Sequence, residues 1–125
     1  RGWLTLNLLA HDQPVDKDKD FYNKLKNGDL KGYTKIGNED RDKSYFLRMN
    51  LACSRAVDYL SQRPDWDGTH IVVTGASQGG YQAIVAAGLN DKVTAIIAHV
   101  PAGCDHSAAE AGRAIGWPYC MAGDE

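Results

Sequence analysis

Apolar residues form three short runs along the chain, at Trp3–Ala10, Thr69–Thr74 and Val93–His99. Each run contains six to eight residues, which is a usual length for a strand and too short for most helices. Nearly continuous apolar runs are typical of strands that are buried on both faces of a parallel sheet. The pattern therefore predicts three strands.

Two segments between these runs have helical character. From Tyr45 to Gln62, apolar residues recur at three- and four-residue steps, the spacing of one helix face. These residues are Phe46, Met49, Cys53, Ala56, Val57 and Leu60. Pro64 predicts the end of this helix, because the residue before a proline disfavours helical geometry. The alanine-rich segment Tyr81–Leu89 predicts a second helix, closed by Asn90.

The order strand, helix, strand, helix, strand predicts right-handed crossovers and a mostly parallel sheet. We therefore expect an α/β fold, a three-layer αβα sandwich with helices on both faces of the sheet. A weaker helical pattern lies at Ser107–Ile115. An apolar run follows Arg1 almost directly and no closing element precedes Glu125, so we expect the 125 residues to form the central portion of one domain.

The segment from His11 to Ser44 has a different composition. It holds eight acidic and eight basic residues together with one proline and three glycines. This composition predicts a long charged surface excursion at 11–44 with little regular structure. Long loops of this kind can wall a substrate cleft.

Composition narrows the range of partners. The chain has 14 Lys and Arg against 16 Asp and Glu, a formal charge of -2, so it offers no basic surface to a nucleic acid or an anionic membrane. No apolar run approaches the roughly 18 residues of a membrane span, and no signal peptide opens the chain. Cys53, Cys104 and Cys120 lack C-x-x-C spacing and indicate neither a disulfide framework nor a zinc site. The compartment is left undetermined.

The segment Gly75-Ala76-Ser77-Gln78-Gly79 matches G-x-S-x-G, the nucleophile elbow, directly between a predicted strand and a predicted helix. On so sharp a turn the residues two before and two after the serine must be very small, which Gly75 and Gly79 satisfy. Ser77 is therefore predicted to have positive φ and an exposed hydroxyl. The Gln78 N–H, at the helix start, is predicted to bind an oxyanion through the backbone. The alternative is a glycine-rich turn that binds phosphate or only packs tightly.

Two histidines follow Ser77, namely His99 and His106, and no later strand is predicted to bring either one back over the serine. Both are therefore interpreted as loop residues rather than as the general base that a serine nucleophile needs. The pairs His11-Asp12 and Asp105-His106 are poor evidence for a metal site compared with a helical H-x-x-x-H pattern. No metal site is predicted.

From Leu4 to Pro101 the sequence resembles the acetyl xylan esterase and cephalosporin-C deacetylase family, carbohydrate esterase family 7 of the α/β-hydrolases. Gly75–Gly80 (GASQGG) is similar to that family's G-x-S-Q-G-G, which adds Gly80 to the elbow glycines. Arg55–Leu60 followed by Asp67 is similar to the helix and connection that precede the nucleophile. Where the family carries Arg-Gly-Gln, this chain has His11-Asp12-Gln13, and only Gln13 agrees.

The resemblance implies a serine carboxylic-ester hydrolase that deacetylates a carbohydrate such as xylan through an acyl-enzyme on Ser77, without a cofactor. It implies that Gln13 and His11 lie near the cleft. It also implies that Trp3–Ala10 is a middle strand, that the second oxyanion donor precedes Arg1, and that the triad acid and histidine follow Glu125. A serine peptidase, a dienelactone-type hydrolase and a non-catalytic domain with the same elbow remain alternatives. An open strand edge would favour homo-oligomers or coverage by further chain.

Overall fold

The computed structural model describes residues 2–114 and 116–118. Its helices are α1 (Lys19–Asn27), a single 3-10 turn (Tyr33–Lys35), α2 (Tyr45–Ser61) and α3 (Gln78–Leu89), and its strands are β1 (Val72–Ala76) and β2 (Ala95–His99). None of the helices in the described part of the chain is long and apolar enough to cross a membrane.

The two strands form a parallel sheet. Val72 pairs with Ala95 at one end and Ala76 with His99 at the other, and α3 provides the crossover between the strands. Helix α3 packs against both strands, and α2 packs against α3. The prediction of an α/β fold with a parallel sheet is therefore confirmed, and the arrangement corresponds to part of an α/β-hydrolase-type fold.

Helix α2 uses the apolar face that its sequence predicts. Met49, Cys53 and Val57 are buried along this face, and Cys53 is thus a core residue as expected. On the facing helix, Ala83 and Ala86 are almost completely buried. Such small side chains allow α2 to approach the backbone of α3 closely, which fixes the position of α3 over the sheet.

Polar contacts join the end of α3 to the middle of α2. Asn90 is buried, and its side-chain amide donates to the Ser54 carbonyl at 3.2 Å and to Asp58 Oδ1 at 3.0 Å. Lys92 Nζ lies 2.9 Å from the same Asp58 oxygen. Hydrogen bonds from Lys92 and Asn90 lower the pKa of Asp58. These contacts connect the end of α3 to α2 and give the Asn90 side-chain amide acceptors on that helix.

Strand β1 begins at Val72, three residues later than the predicted Thr69. The cause is Asp67, whose Oδ1 accepts hydrogen bonds from the N–H groups of Thr69 and His70, each at 2.8 Å. Such a carboxylate turn holds these two residues out of the ladder. The hydrogen bond from the His70 N–H, first among several, lowers the pKa of Asp67 to about 2.

The prediction of a strand at Trp3–Ala10 is wrong for the described residues, because no ladder joins this run to β1 or β2. Its leucines are partly exposed, and Trp3 is 81% exposed. A groove of about 530 Å³ separates Trp3–Leu8 from β1. An apolar run becomes a strand only when a neighbouring strand pairs with it, and among the described residues neither β1 nor β2 pairs with this run.

The charged excursion is more regular than expected. It contains α1, whose N-cap is Asp18: Asp18 Oδ1 accepts a hydrogen bond from the Phe21 N–H at 2.8 Å. The prediction rested on the charged composition of the segment and did not consider this N-cap. Conversely, the weak helical pattern at 107–115 does not form a helix: residues 106–112 are turns, and Ile115 lies outside the described residues. A bidentate ion pair between Arg113 and Asp105 closes this turn region.

Candidate active site at the β1–α3 turn

Ser77 lies between the last residue of β1 and the first residue of α3, with φ 52° and ψ -116°. The predicted positive φ is confirmed. Three backbone hydrogen bonds hold this strained geometry: the Ser77 N–H donates to the His99 carbonyl at 3.0 Å, and the Ser77 carbonyl accepts from Tyr81 at 3.1 Å and Ala102 at 3.0 Å. The serine is thereby fixed to β2, to α3 and to the loop after β2.

A second strained residue lies in that loop. Val100 has φ 38° and is 81% exposed. Positive φ is a true outlier for a β-branched residue, and strain of this kind concentrates at functional sites. The carboxyl ends of β1 and β2 therefore meet in a region where the fold imposes two unfavourable backbone conformations.

The glycines of the turn have different roles. A Cβ on Gly75 would overlap the Gly79 carbonyl group and lie 2.8 Å from the Gly79 Cα, whereas a Cβ on Gly79 would meet no atom of the described residues within 4 Å. Among the described residues only Gly75 therefore meets a neighbour that excludes a side chain, and the requirement for a small residue at Gly79 stays a prediction. A Cβ on Gly80 would lie 3.0 Å from the His99 carbonyl oxygen, so Gly80 lets α3 approach the end of β2.

The Ser77 side chain is exposed, and no described residue forms a hydrogen bond with its hydroxyl. The neighbouring Gln78 N–H lies in the first turn of α3, where backbone donors have no partner within the helix. The helix dipole adds positive potential at this end. The geometry therefore places an exposed serine directly before a backbone N–H that has no partner within the helix.

The Gln78 side chain has a role that sequence reasoning missed. The Tyr33 hydroxyl donates to Gln78 Oε1 at 2.6 Å, and Gln78 Nε2 lies 3.5 Å from the Met49 sulfur. One residue thus connects the turn to both the charged excursion and α2. The motif indicated only the backbone of Gln78, because its partners lie 45 and 29 residues away in sequence.

Aromatic rings surround one side of the turn. Phe46 is the central ring, with its centroid 5.9 Å from that of Tyr81 and 5.7 Å from that of Trp117. Together with Gly103 and His106, these rings line a cavity of about 390 Å³. The cavity adjoins the turn, since Tyr81 and Ala102, the residue before Gly103, both donate to the Ser77 carbonyl. It also includes polar groups from Asn38 and Ser44.

The predicted cleft residues His11 and Gln13 lie on the wall of a second cavity of about 790 Å³, formed largely by the excursion. His11 reaches the turn indirectly: its ring lies edge-on to Tyr33 at 4.7 Å, and Tyr33 bonds to Gln78. Burial lowers the pKa of His11. Gln13 makes no hydrogen bond to the elbow in the described part of the chain.

The histidines after Ser77 do not complete a catalytic triad among the described residues. His99 contributes its backbone carbonyl to the turn, and His106 lines the smaller cavity, but neither bonds to the Ser77 hydroxyl. The described residues also contain no group of three potential metal ligands. Instead, His11 bonds to Tyr45 and Asp12 pairs with Arg48.

Residues 1–117 match the family model described as acetyl xylan esterase. The chain belongs to the acetyl xylan esterase family. Among curated proteins it is 39% identical over 120 residues to the acetyl esterase Axe7A of Xylanibacter ruminicola, an alignment that covers 94% of this chain and 27% of that protein. This family member thus spans about a quarter of the length of that relative. No solved structure matches it.

In this acetyl xylan esterase family member, the Gly75→Ala variant is expected to lose about 3 kcal/mol or more of unfolding free energy, because the new methyl group meets backbone that cannot move aside. In the Gly79→Ala variant the new methyl group meets no atom of the described residues within 4 Å, and the position lies in a helix, where alanine is favoured over glycine by about 0.5–1 kcal/mol. Urea unfolding of the two full-length variants measures the difference. Equal stability of the two variants would contradict the assignment of the steric constraint to Gly75.

Proposed function

We propose that this chain carries the nucleophile and one oxyanion donor of a serine ester hydrolase that removes acetyl groups from a carbohydrate. The observation that carries the proposal is the geometry of Ser77, an exposed serine held at positive φ immediately before the N-terminus of α3. A strained backbone is costly, and its most direct use here is to present the hydroxyl beside unpaired backbone donors.

In the proposed reaction, Ser77 Oγ attacks the acetyl carbonyl carbon and its proton passes to a general base. The carbonyl oxygen becomes an oxyanion, which the Gln78 N–H stabilises together with the positive end of the α3 dipole. The tetrahedral intermediate then expels the sugar oxygen, which takes the proton from the base, and the acetyl group stays on Ser77. Water, whose proton passes to the same base, then attacks the acyl carbon; the bond from Ser77 Oγ to this carbon breaks, Oγ takes the proton back from the base, and acetate is released.

We propose that the general base, its orienting acid and the second oxyanion donor come from residues outside these 125. Two observations support this proposal. No side chain of a described histidine bonds to the Ser77 hydroxyl, and the chain spans only 27% of the length of the relative Axe7A. A serine without an activated base is a weak nucleophile. The activity is therefore assigned to the full-length protein.

The smaller cavity supports a carbohydrate as the alcohol part of the ester. Its aromatic rings offer flat apolar surfaces to the C–H faces of a sugar, and the His106 side chain offers ring nitrogens to a hydroxyl. Its volume of about 390 Å³ is at the lower end of the range for small-molecule sites. The name of the matching family, acetyl xylan esterase, is consistent with a sugar ester.

In the full-length protein, Ser77→Ala is expected to lower kcat/KM for acetyl esters by about 10⁴-fold or more, because the covalent step is lost. The same variant should no longer react with a fluorophosphonate probe. Ser61→Ala is the matched control, since the Ser61 hydroxyl donates to the Asp58 carbonyl at the far end of α2. Full activity in the Ser77→Ala variant would refute the proposed function. It would also be refuted if the wild-type protein neither hydrolysed acetyl esters nor reacted with the probe, a result that would favour a non-catalytic domain.

Replacing the aromatic ring of Trp117 tests the carbohydrate subsite. Trp117→Leu is expected to raise KM about 3- to 10-fold for an acetylated xylo-oligosaccharide, because a stacking surface is lost, and to leave KM for p-nitrophenyl acetate unchanged. Trp66→Leu is the control, because Trp66 bonds to the His70 carbonyl near the start of β1. Equal effects of Trp117→Leu on both substrates would contradict a sugar-binding role for this cavity.

A further inference from the structure

We infer that Tyr33 is a positioning residue, whose hydroxyl holds Gln78 so that the Gln78 N–H is correctly oriented toward the oxyanion. The inference rests on the proposed function of Ser77 and Gln78. The inference gives the charged excursion a role in oxyanion stabilisation. From the sequence, this segment was expected only to cover the surface, and the elbow motif does not include it.

The contact is short and specific. Tyr33 Oη donates to Gln78 Oε1 at 2.6 Å, at the short end of the range for O–H···O hydrogen bonds. The other end of the same amide lies 3.5 Å from the Met49 sulfur in the core. Both ends of the Gln78 side chain therefore have partners, one from the 3-10 turn and one from α2. An amide held at both ends restricts the rotation of the residue that carries it.

Tyr33 is itself held rigidly. Its ring stacks on Phe46 with centroids 6.3 Å apart, and the rings of His11 and Tyr45 lie edge-on to it at 4.7 and 5.6 Å. Burial, and then the nearby Tyr45, raise the pKa of Tyr33. The hydroxyl therefore remains protonated, and a donor, at pH values where an ester hydrolase works. A fixed donor can hold its acceptor in one position.

The position of Gln78 makes this restraint relevant to catalysis. Gln78 is the first residue of α3 and follows the strained Ser77, so its N–H direction depends on backbone that departs from standard geometry. The oxyanion forms only after nucleophilic attack, and the ground-state ester makes weaker demands on this N–H. Loosening Gln78 should therefore reduce transition-state stabilisation more than substrate binding.

The test compares Tyr33→Phe with Tyr22→Phe in the full-length protein. Tyr22 is the matched control, because its hydroxyl donates to the Pro14 carbonyl at 2.7 Å within the same excursion and does not contact the elbow. Tyr33→Phe keeps the ring and is expected to lower kcat about 10-fold with KM changed less than about twofold. The affinity for a boronic acid transition-state analogue should fall by the same factor. Tyr22→Phe should change neither quantity.

A double-mutant cycle shows whether the effect passes through Gln78. Gln78→Met keeps the length of the side chain and its packing but removes the acceptor. In the Gln78→Met background, Tyr33→Phe is expected to change kcat by less than about twofold, because the hydrogen bond is already absent. An equal loss of kcat in both backgrounds would overturn the inference. So would an unchanged kcat in Tyr33→Phe, or an effect on KM alone.

The Ser77→Ala variant separates this inference from the proposed function. If Ser77 is essential and Tyr33→Phe retains full kcat, the positioning role is wrong and the serine mechanism stands. If Ser77→Ala retains activity, both are wrong, because the oxyanion donor beside Ser77 then has no reaction to serve. Unfolding of each variant in urea, measured in parallel, identifies any loss of activity that comes from loss of folded protein.

Discussion

The reversal of the chain between β1 and α3 is the constraint on which the rest of the structure depends. The Gly75 backbone lies so close to Gly79 that any side chain at Gly75 would overlap it. Strand and helix can then follow each other with Ser77 as the sole connecting residue. Because α3 also packs on β2 and on α2, this one turn sets the position of every core element around the serine. The steric strain at Ser77 is offset by the packing of those elements.

The excursion at 11–44 is a second, longer-range support of the same turn. Charged and polar residues dominate its sequence, yet Tyr33 places a hydroxyl on Gln78 and its ring against Phe46. The aromatic contacts continue from His11 through Tyr33 to Trp117, on the side of the turn where the smaller cavity lies. The excursion therefore forms part of the wall around the candidate active site, while its charges remain in solvent.

Sequence patterns correctly predicted the features that depend on residues close together in sequence. The period of apolar residues located α2 to within one residue, and G-x-S-x-G between a strand and a helix predicted the positive φ of Ser77. Such patterns did not predict contacts between residues that are far apart in sequence. The apolar run at Trp3–Ala10 does not show whether a neighbouring strand is present, and the hydrogen bonds of the Gln78 side chain join residues far apart in sequence. The predicted start of β1 at Thr69 was wrong because the N–H groups of Thr69 and His70 donate to Asp67 Oδ1 in a turn.

The proposed mechanism depends on a covalent acyl-enzyme at Ser77, and rapid-quench mass spectrometry can detect this intermediate. The full-length protein is mixed with an activated acetyl ester, quenched within the first turnover and digested. We expect one added acetyl group on the peptide that contains Ser77, formed and lost at rates consistent with kcat. An acetyl group found on a different residue would contradict this mechanism. So would turnover without any acetyl-enzyme under conditions in which hydrolysis of the intermediate limits the rate.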